Sequence, residues 1–237
     1  MDGKDKLNWF MEQVSGPLGA GTKITILRRL PDTGVVLKDF ISFYDNQPGV
    51  MLQCGIKNIS GRPIYVSRLT PAQAQAPDGG LFIGLDPANS KSLTSYFFCR
   101  DDPSLPLQGG GGITTSCSDG AGAYYDAPSN RGLVAGFITG NAAASTISSM
   151  CDPARAAKEP ESERLGFTFF RASCRYSPAP ALPAGQSLES ETLSLLPSWG
   201  PPTQELETYG KFRGASNSAR NLTPHAILTF GECCAPD

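Results

Sequence analysis

Between Val50 and Leu69 the chain reads VMLQCGIKNISGRPIYVSRL, and this segment constrains the fold more than any other. Val50, Leu52, Cys54 and Ile56 fall on one face of an extended strand, while Met51, Gln53 and Lys57 take the other. A period of two is the signature of a half-buried β-strand and is incompatible with a helix of 3.6 residues per turn. Asn58-Ile59-Ser60-Gly61-Arg62-Pro63 then breaks the pattern with residues that suit a turn and weaken a central strand, before Ile64 and Val66 resume it. The reading is an antiparallel hairpin.

The same grammar continues along the chain. KITILRRL and VVLKDFISFYD flank a Pro31-Asp32-Thr33-Gly34 turn, and AYYDAPSNRGLVAGFITG reads as two strands joined by a Pro-Ser-Asn-Arg-Gly turn. Leu133, Ala135 and Phe137 alternate with Val134, Gly136 and Ile138, so both faces of that strand are expected to be covered, as in a sheet inside a larger sandwich. From Thr70 to Gly112 the text loosens into decorated loops with two or three short strands, around the apolar patches LFIGL and SYFFCR. Cys151 to Arg164 reads as a surface turn or short helical excursion, and Leu165 to Phe170 and SLESETLSLL as further strands. Two helices bracket this β text. Leu7, Phe10, Met11 and Val14 at i, i+3, i+4 and i+7 predict a short amphipathic helix over Lys6 to Ser15, stopped by Ser15-Gly16-Pro17. After Trp199-Gly200-Pro201-Pro202, Thr203 is placed to cap a helix carrying Leu206, Tyr209 and Phe212 at every third residue, with Glu205 and Glu207 in its first turn.

Length and charge narrow the function classes. The 237 residues suit one large all-β domain, since sandwiches run to roughly 200–250 residues as one unit. A net charge of −2 with mixed signs gives no electrostatic footprint for nucleic acid or an anionic membrane surface, so neither is expected as a partner. No apolar run approaches the ~18–20 residues that cross a bilayer. MDGKDKLNWF carries charge where a signal peptide needs an apolar core, which leaves localisation open and tilts the expectation toward the cytoplasm. The 7 cysteines form an odd set without C-x-x-C, which argues against a disulfide framework, and Cys54 reads as a small buried hydrophobe. Asn58-Ile59-Ser60 and Asn221-Leu222-Thr223 match the glycosylation sequon, a match that matters only in a secreted chain.

Signatures of chemistry are sparse. His225 is the single histidine, which excludes a His-rich metal site and leaves a Ser/His/Asp triad only a tail residue to build on. Cys233-Cys234 has no second pair to complete a tetrahedral site and reads as a frayed terminus, and no metal or cofactor is expected. Gly109 to Gly112 lacks the Gly-Lys-Ser/Thr ending of a phosphate loop and reads as a flexible loop. Asp101 and Asp102 follow Tyr96, Phe97 and Phe98, a combination able to grip a sugar by ring stacking and hydroxyl hydrogen bonds, or simply a solvated turn after a core strand. Trp199 reads as an anchor at a domain junction or as a binding aromatic, with the anchor preferred.

Taken in order, Val50 to Leu69, RGLVAGFITG at 131–140, LPAGQSLESETLSL at 182–195 and LETYGKFRGASNSARNLTP at 206–224 resemble the N-terminal domain of multidomain α-galactosidases of the melibiase and raffinose-synthase type. Gln186 departs from that family's Pro-Gly-Glu-x-Leu-x-Ser-Glu pattern. The resemblance implies an all-β fold, a large antiparallel two-sheet β-supersandwich, with residues 1–200 as the sandwich and 201–237 as a helical linker and truncated tail. It also implies a partner, either the catalytic barrel that follows the linker in that family or another subunit. After the linker-like segment the sequence reads HAILTFGECCAPD and ends, so neither of the family's catalytic aspartates has a position to map onto. Whether the chain acts as an enzyme is left undecided, with no catalytic residue assigned. The expectation is a non-catalytic domain that supports the barrel and the rim of its sugar site. The alternatives are a free-standing module binding a galactoside-type carbohydrate and an inert remnant with an apolar tail. Tyr96, Asp101, Asp102 and Trp199 are the candidate sugar contacts.

Overall fold

The computed structural model describes residues 7–75, 91–94, 114–126, 128–140, 143–151 and 169–216. These form an all-β sandwich carrying one helix. The large sheet runs in the order β1 (Leu7–Gly16), β2 (Gly19–Leu30), β3 (Val35–Tyr44), β4 (Val50–Asn58), β15 (Leu193–Ser198), β10 (Arg131–Phe137), β9 (Ala121–Asp126), β7 (Lys91–Thr94), with β14 (Ser187–Glu189) paired to β4 as well. A 4-stranded sheet of β6 (Arg68–Gln75), β12 (Phe169–Arg175), β11 (Ala144–Cys151) and β8 (Thr114–Asp119) lies against it. Short strands β5 (Ile64–Tyr65) and β13 (Ala181–Leu182) pair with each other. All the pairings are antiparallel.

The alternation read from the sequence sets what each face touches. Leu52 and Cys54 of β4, Leu133, Ala135 and Phe137 of β10, and Leu193 of β15 meet Ile147 of β11 and Phe170, Ala172 and Cys174 of β12 in the space between the sheets. Burying each large apolar side chain there contributes roughly 1.5–3 kcal/mol. The opposite face of the same strands is covered too. Met51, Val134, Ile138 and Leu196 pack against Leu18 and against Tyr209 and Phe212 of helix α1 (Thr203–Ser216). Gly136 is what lets the helix come so close, since a Cβ there would lie 2.4 Å from Cε2 of Tyr209. The Tyr209 hydroxyl donates to the Phe137 carbonyl at 2.9 Å and fixes the helix on β10.

Three local expectations are corrected. Residues 7–16 form strand β1 and not a helix: Gly16 and Gly19 close a tight turn over Pro17-Leu18, and ten consecutive residue pairs join β1 to β2. The helical spacing of Leu7, Phe10, Met11 and Val14 is outweighed by that turn and the ladder it starts. Val50–Leu69 is not a hairpin. The second edge of β4 is already occupied by β14 and β15, so the chain crosses at 58–63 to the other sheet, where β6 pairs with β12. Thr70 to Gln75 continues β6, and with β7 it supplies short strands of the kind expected within the Thr70 to Gly112 span. SLESETLSLL is two strands, β14 and β15, separated where the Ser190 hydroxyl accepts from the Cys54 N–H at 3.0 Å and donates to the Glu191 carbonyl at 2.9 Å.

Asn58 organises the crossover. It is fully buried, and its Nδ2 donates to the carbonyls of Arg62 (2.8 Å) and Leu182 (2.9 Å), while its Oδ1 accepts from the N–H and hydroxyl of Ser60 (2.9 and 2.7 Å). With both amide hydrogens engaged, this sequon asparagine is part of the core and not a glycan acceptor site. The patches LFIGL and SYFFCR, Gly109–Gly112, the Cys151–Arg164 excursion beyond Cys151, Leu165–Thr168, the Asn221 sequon, His225 and Cys233-Cys234 lie outside the described residues.

Candidate functional site

Two surface features stand at opposite ends of β10. The first is a cleft of about 220 Å³ on the outer face of the large sheet, beside the C-terminal end of α1. Its floor is apolar, from Val14, Phe40, Tyr44, Met51 and Ile138, and its polar groups come from Lys23, Ser42, Gln53, Thr139, Thr192 and Ser216. Strand alternation places these side chains together: Lys23 lies directly across from Ser42 on β3, and Ser42 across from Met51 on β4. The ammonium of Lys23 sits 4.3 Å from the centre of the Phe40 ring, a cation–π contact that holds the charge against the floor. Gln53 is held from behind by its Nε2 donating to the Ser190 carbonyl at 2.8 Å, and the Thr139 hydroxyl oxygen accepts from the Thr192 N–H at 2.9 Å.

Hydroxyl, amide and ammonium groups over aromatic rings suit the alternating polar edge and apolar face of a small polyol. No Asp, Glu or His lines the cleft among the described residues, so it offers no carboxyl pair of the kind glycoside hydrolysis uses. Among the described residues there is likewise no group of three or more His, Cys, Asp or Glu placed to hold a metal.

The second feature is Trp199. It is 78 % exposed, with the Arg131 guanidinium 5.2 Å from its ring centre. Within the described residues its ring is open to solvent, available to a neighbouring domain or a ligand alike. It sits where β15 ends beside the start of β10, whereas the cleft reaches Ile138 and Thr139 past the end of β10. Helix α1 spans the interval, roughly 21 Å for its 14 residues at ~1.5 Å each, ending with Ser216 in the cleft wall. Tyr96, Asp101 and Asp102 lie outside the described residues.

The cleft residues escaped the sequence reading. Each stands at an ordinary outward position of an amphipathic strand, and the cleft exists only because a turn at 17–18, a loop at 138–139, Thr192 and the helix end converge there. The buried thiols are inert by contrast: burial pushes Cys54 and Cys174 up to about 11, well clear of thiolate reactivity at neutral pH. Burial raises Tyr209 as well, with Arg213 acting in the opposite direction.

No family model and no curated protein matches the sequence. Solved structures do match the fold. An α-galactosidase of family GH36 from Geobacillus stearothermophilus, a variant in complex with stachyose, superposes with a TM-score of 0.53 over 88% of this chain and 30% of that one, at 12% identity. The α-galactosidase from Lactobacillus brevis superposes with a TM-score of 0.50 over 89% of this chain and 29% of that one, at 10% identity. The chain thus has a β-sandwich fold that recurs in GH36 α-galactosidases and spans less than a third of the length of those enzymes.

Proposed function

We propose that this chain serves as the non-catalytic sandwich domain of an α-galactosidase-like glycoside hydrolase, packing against a catalytic barrel and lending its surface to the rim of the sugar site. The observation that carries this reading is the asymmetric coverage: 88% of the chain accounts for only 30% of the matched enzyme. The division into a sandwich over 1–200 and a linker over 201–237 belongs to the same proposal, with α1 as the linker's first element. Trp199, exposed under Arg131, is the candidate rim contact among the described residues, and Tyr96, Asp101 and Asp102 are its counterparts on the long loop. The test is the size of the native product in its source, by immunoblot and intact mass. A product larger than 25.1 kDa by roughly the ~250 residues of a barrel supports the reading. A product of 25.1 kDa, with no separately encoded barrel bound to it on native purification, contradicts it.

The cleft favours a second reading, a free-standing module that binds carbohydrate without cleaving it. Its aromatic floor and its hydroxyl and amide groups, with Lys23 as the one charged side chain and no carboxylate among the described lining residues, suit a neutral sugar. Saturation-transfer NMR with galactosides tests this. Transfer that disappears in Phe40→Ala supports it, and no transfer at millimolar sugar counts against it.

A further inference from the structure

The two edges of the large sheet are built differently. At one end β7 has four residues and begins with Lys91, a short charged edge of the kind that discourages pairing. At the other, β1 offers ten residues, LNWFMEQVSG, with one charge, no proline and no register break against β2. Leu7, Trp9, Phe10 and Met11 on it are 59%, 66%, 47% and 61% exposed. Among the described residues this edge has no proline, no bulge and no covering strand, and Glu12 is its one charge.

The backbone of that edge is also oriented for pairing. Asp45 N–H donates to the Ala20 carbonyl at 2.8 Å, so Ala20 and its alternates on β2 turn toward β3. Gly19, Gly21, Lys23, Thr25 and Leu27 therefore turn toward β1, where their partners are Gly16, Val14, Glu12, Phe10 and Asn8. The N–H and C=O groups of Leu7, Trp9, Met11 and Gln13 are left facing outward.

Independently of the function proposed above, we propose that β1 is a homodimer edge, pairing antiparallel with β1 of a second copy about a two-fold axis through Phe10. In that register Trp9 of each copy lies across from Met11 of the other, and Leu7 across from Gln13, all with outward-facing backbone groups. The two Phe10 rings meet as a non-hydrogen-bonded pair, about 4.5 Å apart at Cα. Glu12 faces Asn8, so no acid opposes an acid. Shifting the axis to Glu12 would set the two carboxylates against each other, and shifting it to Met11 would set Glu12 against Phe10. An isologous contact of this kind closes at two copies and uses the β1 edge of each, which leaves the short β7 as the other edge of the large sheet among the described residues. One strand and four apolar side chains per copy make a small interface, so the dimer should dissociate on dilution.

Sedimentation velocity of the full chain, over a concentration series from about 1 to 500 μM chosen to span weak association, tests this directly. The expected result is a monomer–dimer equilibrium that Phe10→Lys and Met11→Pro each weaken at least ~tenfold. Met11→Pro removes an N–H that only the partner uses, a position where an edge strand tolerates proline, so its thermal unfolding should stay near that of the parent chain. If Met11→Pro does not fold, Phe10→Lys and Trp9→Lys decide. A monomer across the whole range overturns the proposal. So does a dimer that survives these variants, or one lost only when residues 217–237 are removed.

Discussion

The large sheet has two halves that follow the same alternation yet are covered differently. Across β4, β15 and β10 both faces are buried: Leu193, Val134, Ala135 and Leu196 have no exposed surface, with the small sheet on one side and α1 on the other. Across β1, β2 and β3 the residues on the inter-sheet face, Trp9, Ile24, Ile26, Ile41 and Phe43, are half-buried or exposed, because among the described residues the small sheet packs under β4 and beyond and not under this wing. Apolar alternation therefore says that a face wants cover, and only the topology says whether the chain supplies it. The covered half holds the fold together, and the wing carries the cleft and the open edge.

The widest separation between the halves should appear in large-to-small substitutions. Phe170→Ala, at a ring 1 % exposed between the sheets, should cost about 3–5 kcal/mol by chemical denaturation, whereas Ile24→Ala in the wing should cost about 1 kcal/mol. Equal losses would erase the distinction. Asn58→Ala should follow at about 2–4 kcal/mol, because it strands the buried Leu182 carbonyl and removes the part-buried bonds to Arg62 and Ser60 that shape the crossover. Gly136→Ala should cost about 1–3 kcal/mol by driving a methyl group into Tyr209, and it should release α1 to limited proteolysis while the strands persist.

Alkaline pH sharpens the comparison through the thiols, both in the covered half. Cys54 and Cys174 are held up to about 11 in the folded chain, against about 8.5 when unfolded. The unfolded state loses those protons first, so the stability they contribute is fully present below pH ~8.5 and falls as pH rises toward ~11, by up to about 1.4 kcal/mol per unit for each thiol. Tyr176, pushed up to about 12, carries the decline further. Unfolding midpoints should be level from pH 7 to 8 and drop above 9, and Cys54→Ala with Cys174→Ala should flatten that drop. The smallest effect is expected in the cleft, where Lys23→Met leaves the Phe40 floor covered and should change stability by less than ~0.5 kcal/mol.

Much of this was readable in the residues. The alternation of β4 and β10, the Pro-Asp-Thr-Gly turn, the two-sided burial of Leu133 to Ile138 and the helix over Thr203 with Tyr209 and Phe212 inward all follow from local pattern. What failed was long-range. Leu7 to Val14 fits a helical stripe as well as a strand, and only the Gly16–Gly19 closure and its β2 partner decide. The 58–63 turn looked like a hairpin because no local signal reveals that strands more than 120 residues later take the second edge of β4. The cleft was hidden for the same reason, since Phe40, Gln53, Thr139 and Ser216 converge only in three dimensions. Trp199 kept its place at the end of the last strand, but its exposure is set by the surroundings of that strand end and not by any local pattern.

The most direct test of the two-region account is residue-resolved hydrogen exchange on the full chain at concentrations low enough to keep it monomeric. The account predicts that ladder amides of β4, β10 and β15 exchange only through global unfolding, while the β1–β2 ladder opens at lower free energy and exchanges at least ~100-fold faster. Equal protection across both would mean that the wing is covered as fully as the core, and would contradict the division on which the cleft, the open edge and the dimer all depend.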